Sequence, residues 1–216
     1  MTHGKFFVIE GGEGAGKTTI VSRLKKELSS DQYVFIREPG GTPLGNEVRK
    51  LLLDSTIEIS PDSELALFMA SRFQVFELII RPAILAGKHV VADRMDASTF
   101  AYQVRARNQP GLEEIFWKMR ERYLSLPGGG SIEPYYIFLE LDPEVGLQRI
   151  SDSGREVNRL DQESMSFHHL VNLGYEEIIP RMPRHLILSA SGLPEQVYDD
   201  VFGAISRLSK EAVSSV

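Results

Sequence analysis

The run Gly11-Gly12-Glu13-Gly14-Ala15-Gly16-Lys17-Thr18 constrains this chain more than any other stretch. It has the spacing G-x-x-x-x-G-K-[ST], and both flanks suit it. Ahead of it, Lys5-Phe6-Phe7-Val8-Ile9-Glu10 reads as a buried strand. Behind it, Ile20 and Leu24 fall at helical spacing. Strand, glycine loop and helix together form a cradle for phosphate. The glycines let backbone N–H groups turn inward where a side chain would block an anion. The helix start adds unpaired donors and the positive end of its dipole. In such a cradle Lys17 reaches the outer phosphates and the Thr18 hydroxyl ligates Mg²⁺. The loop predicts binding of a nucleoside triphosphate and leaves open what is done with it.

The rest of the chain alternates strands and helices. Tyr33 to Ile36 reads as a second strand, followed by the loop Arg37-Glu38-Pro39-Gly40-Gly41-Thr42-Pro43. A helix is expected from Gly45 to Leu53, with Arg49 off its apolar face. Ser60-Pro61-Asp62-Ser63-Glu64 has the composition of a helix start. The helix it opens is predicted to run to about Gly87 and to bend at Pro82. Its apolar residues fall on more than one face, so one face covers a sheet and another meets the nucleotide site or a second subunit. Lys88 to Ala92 is the third strand. It ends in Asp93-Arg94, a carboxylate for Mg²⁺, acting through water, beside a guanidinium suited to phosphate. A helix start carrying Ser98, Thr99, Tyr102 and Gln103 follows, then a helix from Leu112 to Leu126 and a glycine-rich loop.

Pro134 to Leu141 is the fourth strand, and Pro143 opens a helix. The polar stretch from Arg149 to Arg159 holds three arginines and one glycine, Gly154. It reads either as a solvated loop or as a lid whose arginines close on phosphates. Helical periodicity resumes near Asp161 and runs to about Ile179. His185 to Leu188 is the fifth strand, Pro194 to about Lys210 the closing helix, and Ser214-Ser215-Val216 a frayed tail. The pattern predicts an α/β fold: five parallel strands with helices on both faces and the ligand residues on one rim.

Composition narrows the partners. A net charge of −6 gives no electrostatic reason to bind a nucleic-acid polymer or an anionic membrane. The chain has no cysteine, hence no disulfide framework and no thiolate metal site. Strand one begins too early to leave room for a signal peptide, and no apolar run approaches a membrane span, so a cytoplasmic location is expected. From the residues alone the chain is a Mg²⁺-dependent enzyme that uses a nucleoside triphosphate and whose acceptor also carries phosphate.

With these motifs in view the chain resembles the bacterial thymidylate kinases, which transfer the γ-phosphoryl group of ATP to dTMP. The resemblance runs nearly end to end. It rests on Ile9-Glu10-Gly11 before the phosphate loop, Arg37-Glu38-Pro39-Gly40-Gly41-Thr42, Phe68 with Arg72, Asp93-Arg94 with Ser98-Thr99 and Tyr102-Gln103, and Asp161-Gln162-Glu163-Ser164. It implies one nucleoside monophosphate kinase domain over residues 1–216, a P-loop sheet of order 2-3-1-4-5, a lid near 149–163 and a homodimer packed through helices that include the long one. ATP would lie on Gly11, Gly12, Glu13, Gly14, Ala15, Gly16, Lys17, Thr18 and Thr19. For dTMP, Phe68 would stack on the thymine, Arg72 would donate to its O4, and Thr99 would face N3. Tyr102 would close over C2′. Arg94 and Arg49 would hold the phosphate with Arg37 close by, and Glu38, Ser98 and Gln103 would complete the site. Glu13 would meet the 3′-hydroxyl or the Mg²⁺ shell.

The lid departs from the resemblance. In the kinases it resembles, an arginine comes either from inside the phosphate loop or from the lid; this loop carries none, so the resemblance implies the lid-arginine type, with the lid supplying the catalytic charge. The position expected to hold that arginine is Ser153. Arg155, just after Gly154, is the nearest substitute, with Arg159, which could also serve the adenine or the triphosphate, second and Arg149 third. Two alternatives stand beside this reading: a kinase for another nucleotide or a deoxynucleoside, with Glu38 as base, and an NTP-dependent switch. Three arginines are much positive charge for a neutral acceptor. The Asn-Lys-x-Asp common in guanine readers is not present.

Overall fold

The computed structural model describes residues 3–211. The tail at Ser214-Ser215-Val216 lies outside them. Five strands form one parallel sheet: β1 (Phe6–Gly11), β2 (Tyr33–Arg37), β3 (His89–Asp93), β4 (Tyr135–Glu140) and β5 (His185–Ser189), in the order β2-β3-β1-β4-β5. This is the expected architecture and order. Successive side chains of a strand point to opposite faces, and the central strands show it. Phe6 and Val8 of β1 join one core, Phe7 and Ile9 the other, and β4 divides Tyr136 and Phe138 from Ile137 and Leu139 in the same way. Both faces are apolar because helices cover both.

On one face lie α1 (Lys17–Glu27) and α9 (Pro194–Lys210). On the other lie α3 (Pro61–Val75), α4 (Arg81–Leu85), α5 (Asp96–Thr99), α6 (Leu112–Leu124) and α8 (Met165–Ile178). The starts follow the sequence punctuation. Proline is at the first position of α3, α9, α2 (Pro43–Leu53) and α7 (Pro143–Ser153), where its missing N–H has no intrahelical partner to lose. Thr42 caps α2 through Gly45 N–H at 3.0 Å.

Three details differ from the sequence reading. The long helix does not simply bend at Pro82. It widens before it, into a π-helical segment (Phe76–Ile80) where Arg81 N–H bonds to the carbonyl of Phe76, five residues back. Pro82 has no N–H for the carbonyl four residues before it, and the wider turn accommodates that loss. A second π segment (Phe100–Ala106) continues α5. Finally, α8 begins at Met165 and not near Asp161. Ser164 caps it through Phe167 N–H at 3.2 Å, while Asn158 and Asp161 bond each other's backbone in a preceding turn. Gly154 ends α7 in the left-handed conformation, φ 63°. No helix among the described residues is long and apolar enough to cross a membrane.

Candidate active site

The C-terminal ends of β1, β2 and β3 open on a cavity of about 510 Å³. At one end is the phosphate loop. Gly14 is left-handed, and a Cβ there would run into the backbone of Gly146 near the start of α7, while a Cβ on Gly146 would meet the carbonyl of Glu13. The loop and α7 therefore close on each other backbone to backbone. Lys17 Nζ donates to the Gly12 carbonyl. Burial, then the neighbouring Arg94, lowers its pKa to about 8. Thr18 Oγ1 donates to Asp93 Oδ2 at 2.7 Å, and Arg37 approaches the same oxygen at 3.9 Å.

Arg94 follows β3 with φ 69°, an uncommon conformation for a residue with a side chain. The bend turns its guanidinium back over β1. There Nη1 donates to Gly11 O, Ser98 Oγ and Tyr175 OH at 3.0 to 3.1 Å, and Nη2 to Glu13 Oε1 at 2.8 Å. Beneath it Glu10 is buried and accepts from Met95 N–H, Ser98 Oγ and Tyr175 OH. Burial raises the Glu10 carboxyl above its ordinary value, against the pull of Ser98 and Arg94. Burial acts the same way on Glu13, but Arg94 and Lys17 outweigh it and hold that carboxyl at about 2. Tyr102 OH donates to Glu13 Oε1 at 2.8 Å, and no described residue donates to Oε2.

At the other end the wall is Phe68, Arg72, Glu38, Pro39 and Gln103. Arg72 is 1% exposed. Its Nε donates to Glu38 Oε2 at 2.7 Å, and its Nη2 donates to Thr99 Oγ1 at 2.8 Å and Met95 O at 3.2 Å. Its Nη1 is buried without a partner, as is Glu38 Oε1. Buried polar groups are normally bonded, so this pair marks a place for a ligand with its own donor and acceptor. Burial raises the Glu38 carboxyl to about 7 in spite of Arg72. Arg49 lines the floor with Nη1 on Pro39 O at 3.1 Å. Burial and the adjacent Arg37 lower its pKa to about 10. Like charges held this close favour a ligand that brings negative charge.

The lid side of the cavity carries Arg149, Ser153, Arg155 and Asn158. Arg155 is paired in two contacts with Asp161, at 2.7 and 2.9 Å. Arg149 donates to Ala190 O at 3.0 Å.

Most of the expected residues meet at this one cavity, but several do not line it. Arg159 faces away, bonded to Glu64 and to Leu52 O. Thr99 is buried behind Arg72 and touches it, so Gln103 and not Thr99 presents a polar edge there. Gly11 and Gly12 serve through the carbonyls that anchor Arg94 and Lys17, and Ala15 packs into the core below. Tyr175 and Glu64 have structural parts in the site that the sequence did not announce. Tyr175 sits at an ordinary core position of α8, and Glu64 reads as a first-turn acid.

No group of three or more His, Asp or Glu side chains poised to cage a metal occurs among the described residues. A Mg²⁺ ion does not need one, since it keeps several waters and is held by one or two protein oxygens plus substrate phosphates. Thr18 and Asp93, all-oxygen and side by side at the loop, fit that description.

The family model for thymidylate kinase matches residues 9–201. The thymidylate kinase of Deinococcus radiodurans is 36% identical over 211 residues, covering 95% of this chain and 98% of that protein. That of Clostridium novyi is 36% identical over 208 residues, covering 94% and 98%. That of Haemophilus ducreyi is 37% identical over 209 residues, covering 94% of each.

Proposed function

The chain belongs to the thymidylate kinase family; it is an ATP-dependent kinase that converts dTMP to dTDP, and we propose how its own residues divide that work. The observation that carries the proposal is the single free donor of Arg72. Three contacts fix the guanidinium, Nη1 is left without a partner, and Phe68 lines the same cavity. A thymine stacked on Phe68 would place its O4 at that donor, with Gln103 serving the N3 edge. Tyr102, tied to Glu13, would lie against C2′ and exclude a ribose hydroxyl. Glu13 Oε2 would take the 3′-hydroxyl or a water of the Mg²⁺ shell. Arg94, Arg49 and Arg37 would neutralise the dTMP phosphate, with Ser98 holding Arg94 in place.

ATP would lie along the phosphate loop, from Gly11 through Thr19, with Lys17 on its outer phosphates. Thr18 and Asp93 would hold Mg²⁺, which neutralises charge on the phosphates when bound. A dTMP phosphate oxygen attacks the γ-phosphorus in line. The new P–O bond forms as the bond to the β–γ bridging oxygen breaks, and ADP leaves. The attacking oxygen is already ionised, so no general base is needed, and Glu38 serves to hold Arg72. Catalysis is positioning and charge neutralisation by Lys17, Arg94 and Arg155. Arg155 must leave Asp161 to reach the transferring group, which makes residues 149–163 the lid of a single kinase domain.

A homodimer is proposed through the long helix, supported by Leu78 and Leu85, which are 56% and 43% exposed on it. Sedimentation of the wild-type chain and of Leu78→Asp tests this. A cysteine-free chain acting on phosphorylated substrates suits the cytoplasm. The test of the site assignment is ATP turnover with each nucleoside monophosphate in turn. dTMP should exceed its ribose counterpart, and Tyr102→Ala should narrow that ratio. An unchanged ratio removes Tyr102 from the role.

A further inference from the structure

Glu64, in the first turn of α3, is 1% exposed and lies just behind the cavity wall. Its Oε2 accepts from Gln103 Nε2 and from Arg107 Nε, each at 3.3 Å. Its Oε1 accepts from Arg159, whose Nε is fixed on Leu52 O at 2.9 Å. Arg107 also reaches Glu163 at 2.6 Å. Burial acts to raise the Glu64 carboxyl, and the two arginines outweigh it and keep it below its ordinary value. It is thus an ionised group, able only to accept.

That one-sidedness has a consequence for Gln103. The oxygen and nitrogen of an amide have nearly the same shape, so the surroundings decide which way it points. Beside an acceptor-only carboxylate, the NH₂ must face Glu64. The carbonyl oxygen is then turned to the cavity, which Gln103 lines, and no described residue donates to it.

We infer that Glu64 is a positioning residue for base specificity: it fixes the Gln103 amide so that an acceptor meets the N3–H of thymine or uracil and repels the bare N3 of cytosine. This rests on the assignment of the Phe68–Arg72–Gln103 end to the base. Arg159 and Arg107 keep Glu64 charged, which gives Arg159 a part in the site without touching either substrate.

The test is kcat/KM for dTMP and for dCMP in the full-length chain, with Q103A, E64Q, E64D and the double variant E64Q/Q103A. Q103A should raise KM for dTMP. If it does not, the base assignment fails, and the role of Glu64 falls with it whatever E64Q does. Given that rise, E64Q should lower the dTMP:dCMP ratio about tenfold, because Gln103 can then offer either edge. The same change in the Q103A background should leave the ratio where Q103A put it. An unchanged ratio in E64Q overturns the inference. So does an equal fall in both backgrounds, since Glu64 would then act on the fold and not through Gln103. E64D keeps the charge but withdraws it from Gln103 by one carbon–carbon bond, and the ratio should fall about threefold. E64D decides the matter if E64Q does not fold, and an unchanged ratio there also overturns it.

Discussion

Two arginines line the same cavity and are held in opposite ways. Arg94 belongs to the sheet. It is 18% exposed, donates to four groups from three segments, and sits above the buried Glu10 and Tyr175 and the half-buried Ser98. Arg155 belongs to the lid. It is 42% exposed, and its one side-chain partner, Asp161, is six residues along the same loop. The first charge is organised before any substrate arrives, which is how electrostatic catalysis avoids reorganisation at the moment of reaction. The second is paired with Asp161 on its own loop, and in the proposed mechanism a triphosphate competes it away. A site that must admit and release two anionic substrates needs both kinds: a fixed half to orient and a releasable half to close.

The comparison breaks most visibly at Arg94. Arg94→Ala should lower kcat/KM about 10⁴-fold, since it removes a phosphate contact and the anchor of Glu13. It should also destabilise the fold by about 3 kcal/mol, because Glu10 is left without its arginine and Glu13 with Lys17 alone, in a poorly solvated site. Kinetics and urea unfolding of the same preparation check both. Full stability in this variant would show that the fixed half is not held as described.

Arg155→Ala should separate those two effects. We expect kcat to fall about 10³-fold or somewhat less, near the low end for arginine fingers, with KM for dTMP little changed. Stability should move by no more than about 1 kcal/mol, as for other exposed ion pairs. Arg155→Lys should restore part of the rate, a point charge lacking the planar fork. Alanine variants at 149 and 159 complete the series. A near-normal kcat for the 155 variant beside a collapse at 149 would move the role to Arg149. No loss at any of the three would end the lid-arginine mechanism.

The same contrast governs what the sequence discloses. The fixed half is legible because its parts are local: a glycine loop between a strand and a helix, Asp93-Arg94 at a strand end, prolines at helix starts. Each needs only its neighbours in the chain to be read. The order of the strands came from the resemblance, as hydrophobic alternation says nothing of which strand lies beside which. The π segments were not legible, since a residue inserted into a 3.6 period leaves no composition of its own, and Pro82 marked only the end of one. The stretch from Arg149 to Arg159 is legible only in part. Gly154 and its arginines stood out, but whether Arg159 faces the cavity depends on Glu64, 95 residues earlier. That Thr99 lies behind the cavity wall is hidden in the same way: its spacing on the helix suits the site, and Arg72, 27 residues earlier, bonds its hydroxyl.

Phe68 sharpens the comparison at the base end, with a smaller effect. It lines the cavity, and it also packs with Val48 and Leu52 between α2 and α3. Phe68→Ala would therefore confound stacking with a core cavity worth about 3 kcal/mol. Phe68→Leu keeps most of the volume and loses the flat face. KM for dTMP should rise about tenfold in Phe68→Leu, with KM for ATP and the unfolding midpoint close to wild type. An equal rise for ATP would make Phe68 a core residue only.

The smallest effect separates the two halves by pH. In the fixed half, burial and then Arg94 lower Lys17 to about 8. In the lid, the bond to Asp161 pushes Arg155 above its ordinary value, so Arg155 stays charged throughout. ATP meets the protonated ammonium, and free enzyme loses that proton as pH rises through about 8. The sign is therefore an alkaline fall: kcat/KM for ATP should be level below about pH 7 and about fourfold below that plateau at pH 8.5. At saturating ATP the bound phosphates favour the charged form and raise its pKa, so kcat should fall later than kcat/KM. Lys17→Arg, whatever its rate, should lose the limb near pH 8, because a guanidinium does not titrate there. A profile that stays level to pH 10 in the wild type would mean that Lys17 is better solvated than its place behind the phosphate loop indicates. An identical limb in Lys17→Arg would assign it to another group.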